Sequence, residues 1–219
     1  WIEETLGIYE RRIADKAEFT SDLAAKAALN AIETSGLSIN DIDLIIVATA
    51  TPDRSAPSTA AIVQDKIKAY NAVAFDISAV CSGFLFAMSV ASQYISSGIY
   101  DNVLVIGADI FSRITDWTRR DAVFFGDGAG AAILTHSDTD SGFLSFRLYT
   151  DGSGKWNFTV PAGGSEMPAS KETLNDGLHF FQMNGKAVYE MSVQINRSSY
   201  GKGKGFSKKE AEQAAAKET

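Results

Sequence analysis

The sequence predicts an α/β fold with a mostly parallel sheet. Three apolar runs of strand length, residues 42–50, 73–80 and 102–108, alternate with segments whose apolar residues recur at helical spacing. Helices that alternate with apolar strands are typical of a parallel sheet covered on both faces. The 219 residues are enough for one large domain or two small ones.

The first predicted helix follows Thr20-Ser21-Asp22, three residue types that cap helices, and ends near Gly36, where a glycine C-cap is expected. Its apolar face consists of Leu23, Ala24, Ala27, Ala28, Ala31 and Ile32. The continuous apolar run 42–50 then predicts a strand that is covered on both faces.

A second helix is predicted for residues 60–70, since Pro57-Ser58-Thr59 is a typical helix start. The β-branched run 73–80 predicts a buried strand. The helical pattern that follows it opens at Ser82-Gly83 and runs to about Ser96. Residues 102–108 predict another buried strand.

Cys81, the only cysteine, lies on the predicted turn between strand 73–80 and the following helix. Free N–H groups and the helix dipole at a helix start favour a thiolate. The thiolate is the nucleophilic form of cysteine, so Cys81 is the first candidate for covalent catalysis. The alternative is an inert core cysteine, because unpaired cysteines are among the most buried residues.

Beyond Ser112 the predicted elements are short and separated by polar or glycine-rich segments. We predict a polar loop at 116–121, a glycine-rich segment at 125–131, neighbouring strands at 129–136 and 142–149, a long surface excursion at 151–176, a short strand at 177–183 and a helical pattern at 184–195. The charged, alanine-rich tail predicts a flexible, partly helical extension without chemistry. We therefore expect a nucleophile-bearing domain at 1–195 and a tail at 196–219.

Composition excludes several classes of function. The formal charge of −7 argues against non-specific nucleic-acid binding, because the phosphate backbone is bound by clustered Lys and Arg residues. One cysteine excludes an intrachain disulfide, and no apolar run is long enough to span a bilayer. We expect a cytoplasmic protein with neither a nucleic-acid nor a membrane partner. The start at Trp1, without methionine, suggests an incomplete N-terminus.

The glycine-rich segment FGDGAGA, residues 125–131, lacks the lysine of a P-loop and does not join a strand to a helix. We expect a structural role for it, as a close backbone approach next to the Cys81 turn. His136 and His179 have no metal-ligand spacing, so we expect both to be structural. The carboxylates Asp76, Asp109 and Asp127 are scattered, and the sequence does not say whether any two converge.

Three motifs, read in order, resemble the β-ketoacyl-acyl carrier protein synthase III family of thiolase-like condensing enzymes. WIEETLGIYERRIA is similar to the family's opening segment, DISAVCSGF to its nucleophile turn and FFGDGAGAAIL to its glycine signature. The resemblance covers residues 1–193. It implies a thiolase-like layered α/β/α fold, of which this chain carries roughly the N-terminal half.

The resemblance implies an acyltransferase that initiates fatty-acid synthesis. Cys81 would attack a primer acyl-CoA and carry the acyl group as a new thioester, and its own N–H would be one donor of an oxyanion hole. Decarboxylative condensation with malonyl-acyl carrier protein would follow. Coenzyme A would then be part of the substrate rather than a resident cofactor, and no metal is implied.

The resemblance also implies contacts for coenzyme A. Trp1 and an arginine would hold its nucleotide end by stacking on adenine. Alignment from the left makes this Arg120, whereas alignment from the right makes it Arg119. As an alternative, Trp1 is an exposed, frayed terminus.

Phe111 and Phe125 fall where the family lines its acyl pocket, and residues 183–185, including Met183 and Gly185, fall where it lines the pantetheine channel. The alternative for the two phenylalanines is an ordinary place in the core. The family forms homodimers around the strand before the nucleophile, so we expect an oligomer.

The sequence also departs from the family pattern. The family's second half supplies a histidine and an asparagine for condensation, whereas here the polar tail follows, and neither histidine lies in an H-Q-A-N-like context. Thr5-Leu6 replaces Arg-Thr, Ala56 replaces a frequent aromatic residue, and the strand normally before Trp1 is absent. We therefore expect condensation to be lost. Two alternatives stay open: a non-catalytic dimerising fragment of the fold, or another thiolase-fold acyl-CoA enzyme.

Overall fold

The computed structural model describes residues 1–139, 142–185, 187, 194–195 and 198–199. The chain divides into two compact units. The first unit consists of Trp1–Arg113 and Val123–Tyr149, and the second of Ile114–Ala122 and Thr150–Thr219. The expected boundary at residue 195 stays a prediction.

The first unit contains a four-stranded mixed sheet with the strand order β2-β1-β3-β4. Its strands are β1 (Leu44–Ala48), β2 (Val73–Ile77), β3 (Asn102–Ile110) and β4 (Asp127–Thr135). Strand β1 pairs in parallel with β2 and β3, whereas β4 runs antiparallel to β3. The mostly parallel sheet agrees with the sequence prediction.

Helices cover both faces of this sheet. They are α2 (Thr20–Ser35), α3 (Thr59–Ile67) and α4 (Gly83–Ser96), whereas the short α1 (Ile2–Leu6) has no buried residue. Ile45 and Val47 of β1 share one core cluster with residues of α2 and α3, while Leu44 and Ile46 belong to a second cluster with residues of α4. Because side chains alternate along a strand, β1 serves both layers. The layered α/β/α fold class is confirmed.

The burial of β1 was predicted correctly, whereas the burial of β2 was not. All five residues of β1 are buried, as its continuous apolar run predicts. Strand β2 was predicted to be buried as well, but it is an edge strand that ends at Ile77, and Val73 is 49% exposed. The apolar run could not reveal this difference, because burial depends on which strands and helices lie alongside.

Two local predictions also need correction. Helix α2 begins at Thr20 after the N-cap residue Phe19, and Asp22 stabilises this start by accepting a hydrogen bond from the Phe19 N–H at 2.9 Å. Gly36 ends the helix with a left-handed φ of 74°, as expected. Residues 142–149 form no strand, so the prediction of a strand there is wrong.

The second unit has little regular structure in its described part. It contains β5 (Phe158–Thr159), α5 (Lys171–Asn175), β6 (Gln182–Met183), β7 (Gln194–Ile195) and β8 (Ser198–Ser199). The rings of Phe158 and Phe181 lie 4.3 Å apart, and the Phe181 N–H donates to the Ile114 carbonyl. The helical prediction for 184–195 lies largely outside the described residues, and it is wrong at β7. Residues 200–219 lie outside them altogether.

In the part of the chain that the structure describes, no helix is long and apolar enough to cross a membrane. The same part of the chain has no cluster of three or more His, Cys, Asp or Glu side chains that could hold a metal ion.

Candidate active site

Cys81 lies on a tight turn between β2 and α4. After β2 ends at Ile77, residues Val80–Ser82 form a 3-10 turn, and α4 begins at Gly83. The Ser82 N–H donates to the Ala79 carbonyl at 3.1 Å, and the Gly83 N–H donates to the Val80 carbonyl. Cys81 itself is exposed. The alternative of a core location is therefore wrong: Cys81 is exposed at the start of a helix, and its role as a nucleophile stays a prediction.

Val80, the residue before the cysteine, has a left-handed backbone conformation with φ 47°. For a β-branched residue this is an outlier, because its Cβ is crowded by the following carbonyl group. Backbone strain of this kind costs on the order of 1–3 kcal/mol and clusters at functional sites. The strained residue lets the chain turn from β2 into α4 within a few residues.

The three carboxylates singled out in the sequence hold separate backbone segments in place. Asp109, near the end of β3, accepts four hydrogen bonds on Oδ1, from the Thr49 and Thr51 hydroxyls and the Ala50 and Thr51 N–H groups, at 2.8–3.2 Å. Asp76 of β2 accepts from the Thr59 N–H at the start of α3 at 2.7 Å. These contacts organise the loops at the carboxyl end of the sheet, next to the Cys81 turn. The sequence drew attention to these carboxylates but did not predict that they hold the loops in place.

Asp127, the aspartate of the glycine signature, joins β4 to two other segments. Its carboxylate accepts from the N–H and hydroxyl of Ser112, at 2.8 and 2.7 Å, and from the Ala14 N–H at 2.8 Å. A Cβ at Gly126 would lie 3.1 Å from the Arg12 carbonyl oxygen. The predicted close backbone approach is therefore present, but it is made with Arg12 of the opening segment and not with the Cys81 turn.

Phe111 and Phe125, the predicted acyl-pocket residues, are brought together in the first unit. Their rings stack with centroids 4.7 Å apart and an interplanar angle of 21°. Phe111 is buried and Phe125 is half-buried. The pair is near in space because Ser112, next to Phe111, binds Asp127, two residues after Phe125.

Trp1 lies at the start of α1, and its side chain is exposed. The Thr5 N–H donates to the Trp1 carbonyl at 2.8 Å, which anchors the residue to the helix. An exposed indole is accessible for stacking. Its role in nucleotide binding stays a prediction.

Arg119 and Arg120, the alternative nucleotide-binding residues, belong to the second unit. Arg119 donates to both carboxylate oxygens of Asp121, at 3.1 and 2.8 Å. This hydrogen bonding raises the pKa of Arg119 and lowers the pKa of Asp121. Arg120 begins a 3-10 turn that runs to Phe124. Arg119 is thus engaged in a bidentate ion pair within its own loop.

Met183 and Gly185, the predicted pantetheine-channel residues, also lie in the second unit. Met183 of β6 pairs with Phe158 of β5, and a Cβ at Gly185 would lie 3.8 Å from the Met183 Cε. The Asn184 N–H donates to the Asn157 carbonyl at 2.9 Å. These bonds fix the backbone of the segment, while its role in binding stays a prediction.

The two histidines have local partners. His136 is exposed, and its Nδ1 lies 3.8 Å from a carboxylate oxygen of the exposed Asp138. In the second unit the His179 Nε2 lies 3.0 Å from the hydroxyl oxygen of Thr173, which is buried. The expectation of structural roles for both histidines stays a prediction.

Most of the chain is similar in sequence to known proteins. A family model described as 3-oxoacyl-[acyl-carrier-protein (ACP)] synthase III matches residues 75–152. The chain is 52% identical over 195 residues to the beta-ketoacyl-[acyl-carrier-protein] synthase III of Clostridioides difficile (strain 630), covering 89% of this chain and 59% of that protein. It is 48% identical over 200 residues to the protein of the same name from Caldanaerobacter subterraneus subsp. tengcongensis, covering 91% and 60%.

A solved structure of the same family is also similar to most of the chain. The crystal structure of 3-oxoacyl-[acyl-carrier-protein] synthase III from Aquifex aeolicus VF5 is 40% identical, with a TM-score of 0.78 over 88% of this chain and 58% of that one. The chain thus spans about 60% of the length of the relatives it matches.

A second family model, described as a double-stranded RNA binding motif, matches residues 180–219.

Proposed function

Because the chain belongs to the 3-oxoacyl-[acyl-carrier-protein] synthase III family, we propose that it transfers an acyl group from acyl-CoA to Cys81, the step that initiates fatty-acid synthesis. One observation carries this proposal: the only cysteine is exposed on a strained turn at the start of α4. The turn lies within residues 75–152, which match the family model. A thiol that is accessible at a helix start suits nucleophilic catalysis.

The reaction proceeds through addition and elimination. The Cys81 thiolate attacks the thioester carbonyl carbon, and the carbonyl π electrons move to oxygen. The oxyanion collapses, a new thioester to Sγ forms, and the bond to the coenzyme A sulfur breaks. The proton lost by Cys81 leaves with coenzyme A as its thiol, so the step needs no oxidant or metal. The N–H of Cys81 itself is the proposed oxyanion donor.

Coenzyme A and the acyl group are assigned to the residues that the resemblance implies. Trp1 and either Arg119 or Arg120 would hold the nucleotide, with the indole and guanidinium stacking on adenine. Phe111 and Phe125 would line the acyl pocket, and their stacked rings support this assignment because they form an apolar surface. Met183 and Gly185 would line the pantetheine channel.

The experiment is incubation of the 219-residue chain with acetyl-CoA, followed by intact-mass spectrometry. We expect one acetyl adduct per chain, located on the peptide that contains Cys81. Cys81→Ala removes the thiol and should abolish the adduct. Absence of an adduct with acetyl-CoA and with other short acyl-CoA donors would contradict the proposal. It would favour the non-catalytic fragment, as would slow alkylation of Cys81 by iodoacetamide.

Condensation with malonyl-acyl carrier protein is not proposed for these 219 residues alone. The resemblance assigns this half-reaction to a histidine and an asparagine, and His136 and His179 both lie outside that sequence context. The proposed chemistry therefore ends at the acyl-enzyme. We place it in the cytoplasm. We also propose a homodimer, since the edge strand β2 with its exposed Val73 offers a surface for a second copy.

A second function is favoured by the match of residues 180–219 to a double-stranded RNA binding motif. Residues 197–219 carry six Lys and Arg and three Glu, whereas the whole chain has a formal charge of −7. Basic residues concentrated in one segment are typical of proteins that bind the phosphate backbone of nucleic acids. This observation replaces our expectation of no nucleic-acid partner with the proposal that the segment binds double-stranded RNA.

The RNA proposal is tested by fluorescence anisotropy with a labelled RNA duplex of about 16 base pairs, the length that one such domain spans. We expect binding that weakens with added salt and is lost in the double variant Lys208→Ala/Lys209→Ala. Lys26→Ala/Lys66→Ala, which removes the same charge from α2 and α3, is the matched control. Equal effects of both double variants would contradict a site in the tail.

A further inference from the structure

The first turn of α4 rests on two small residues of adjacent strands. Ala48 at the end of β1 is the register partner of Gly107 on β3. A Cβ at Gly83 would lie 3.1 Å from the Ala48 Cβ, and a Cβ at Gly107 would lie 3.2 Å from the Phe84 ring. Two successive residues of the helix, Gly83 and Phe84, thus contact two paired residues of the sheet.

The contact at Gly83 is too tight for a larger side chain unless Ala48 or the helix start gives way by a few tenths of an ångström. Gly83 and Ala48 are both buried, and the atom opposite Gly83 is a Cβ, which cannot rotate away. Gly83 has ordinary helical angles, φ −54° and ψ −42°, so alanine would fit its backbone without strain. The effect of a methyl group at this position is therefore steric. Because interiors are close-packed, the helix start would have to move.

The Cys81 turn is bonded directly to this helix start. The Gly83 N–H donates to the Val80 carbonyl, and the Ser82 N–H donates to the Ala79 carbonyl, so Cys81 lies within both of these overlapping hydrogen-bonded turns. A shift of Gly83 away from Ala48 would carry the cysteine with it. Reaction rates at an oriented nucleophile fall steeply with displacement, by about 100-fold for roughly 1 Å.

We infer that Gly83 is a positioning residue, whose close contact with Ala48 sets where the Cys81 thiol meets an incoming thioester. The inference rests on the proposed acyl transfer and deepens it. In the proposed acyl transfer Gly83 touches no reacting atom. Gly83 affects the reaction through the Cys81 turn, to which its N–H is bonded. The Ala48 side chain is the surface on which Gly83 packs.

The test compares Gly83→Ala with the double variant Gly83→Ala/Ala48→Gly, which removes the opposing methyl group. We expect Gly83→Ala to acylate from saturating acetyl-CoA at least about tenfold more slowly, because the displaced thiol is misaligned. The rate of alkylation by iodoacetamide, a small reagent that needs no oriented site, should stay within about twofold. The double variant should recover most of the acylation rate.

Gly130→Ala is the matched control, since a Cβ at Gly130 of β4 meets nothing within 4 Å. It should acylate like the wild type. Circular dichroism checks that each variant folds. Wild-type acylation by Gly83→Ala, or no recovery in the double variant, would overturn the inference.

Failure of the proposed function gives a different result. In that case the wild type acquires no adduct, and the contact is judged by a double-mutant cycle on the free energy of unfolding. A steric contact between Gly83 and Ala48 predicts that the two substitutions are non-additive. Additive effects would overturn the inference independently of any acylation.

Discussion

Asp76 accepts a hydrogen bond from the Thr59 N–H at 2.7 Å and thereby joins β2, the strand before Cys81, to the first turn of α3. The other carboxylate oxygen accepts from the Ala60 N–H, also at 2.7 Å. Both N–H groups lack partners within the helix, as at every helix start. One side chain thus caps α3 and attaches it to the strand that leads to the nucleophile.

Asp76→Asn should lower the free energy of unfolding by about 1–2 kcal/mol, because an amide has one accepting oxygen and no charge to offer the two N–H groups. The measurement is urea unfolding followed by circular dichroism. Asp101→Asn, at an exposed residue just before β3, is the control and should change stability by less than about 0.5 kcal/mol. Equal effects of the two substitutions would argue against the capping role.

Thr59→Val should raise the free energy of unfolding by about 1 kcal/mol. Thr59 is fully buried, and its Oγ1 has no hydrogen-bond partner in the described part of the chain. Valine has nearly the same shape and removes the cost of burying an unpaired hydroxyl.

The control for Thr59 is Thr49→Val, since the Thr49 hydroxyl donates to Asp109 at 3.2 Å and accepts from the Thr51 N–H at 3.0 Å. That substitution should lower the free energy of unfolding by about 1–2 kcal/mol. Urea unfolding measures both variants. Destabilisation by Thr59→Val would mean that its hydroxyl has a partner after all.

The ion pair between Arg119 and Asp121 should give a defined pH dependence. The hydrogen bonds from Arg119 hold the pKa of Asp121 below its ordinary value of 3.8. A carboxyl whose pKa is lower in the folded state stabilises fully above the unfolded pKa. This contribution is lost as the pH falls through the lower, folded pKa.

NMR titration of the Asp121 carboxyl carbon measures this pKa. Arg119→Gln should raise it towards the ordinary value, because the hydrogen bonds and the positive charge are removed together. Arg120→Gln, which removes a neighbouring charge and keeps the ion pair, should change it less. The ion-pair assignment fails if the two variants shift the Asp121 pKa equally.

Phe125→Ala should shift acyl selectivity towards longer chains, given the proposed acyl transfer. Removing one of two stacked rings opens space beside Phe111, and apolar pockets discriminate by roughly tenfold or more per methylene. The measurement is the ratio of initial acylation rates with hexanoyl-CoA and acetyl-CoA. Phe143→Ala, in the aromatic pair of Phe143 and Phe146, is the control and should leave the ratio unchanged. An unchanged ratio in Phe125→Ala would remove this residue from the acyl pocket.

Ketoacyl product should be undetectable when the acylated chain is incubated with malonyl-acyl carrier protein. Decarboxylation leaves an enolate that needs stabilising donors. His136 is exposed beside Asp138, and the His179 Nε2 is already close to the Thr173 hydroxyl. Product analysis by mass spectrometry checks this expectation. Robust formation of ketoacyl product by the purified 219-residue chain would show it to be wrong.

Local sequence patterns were sufficient for much of the fold and for the nucleophile. Periodicity identified α2 and α4, and the continuous apolar run identified β1, because each pattern reflects the side-chain geometry of its own element. Cys81 could be placed on a turn for the same reason: a strand pattern ends and a helical pattern begins within two residues of it. Three motifs, of which one contains Cys81, were sufficient to identify the family.

Only the tertiary structure decided how these elements meet. It made β2 an edge strand, left residues 142–149 without a strand, brought Gly126 against Arg12, and paired Ala48 with Gly107 beneath the start of α4. Such contacts join residues far apart in the chain, and a glycine or alanine looks the same in a sequence whether its neighbour is solvent or another backbone. Local preference determines which element forms, whereas burial, strand register and close approach depend on what packs against it.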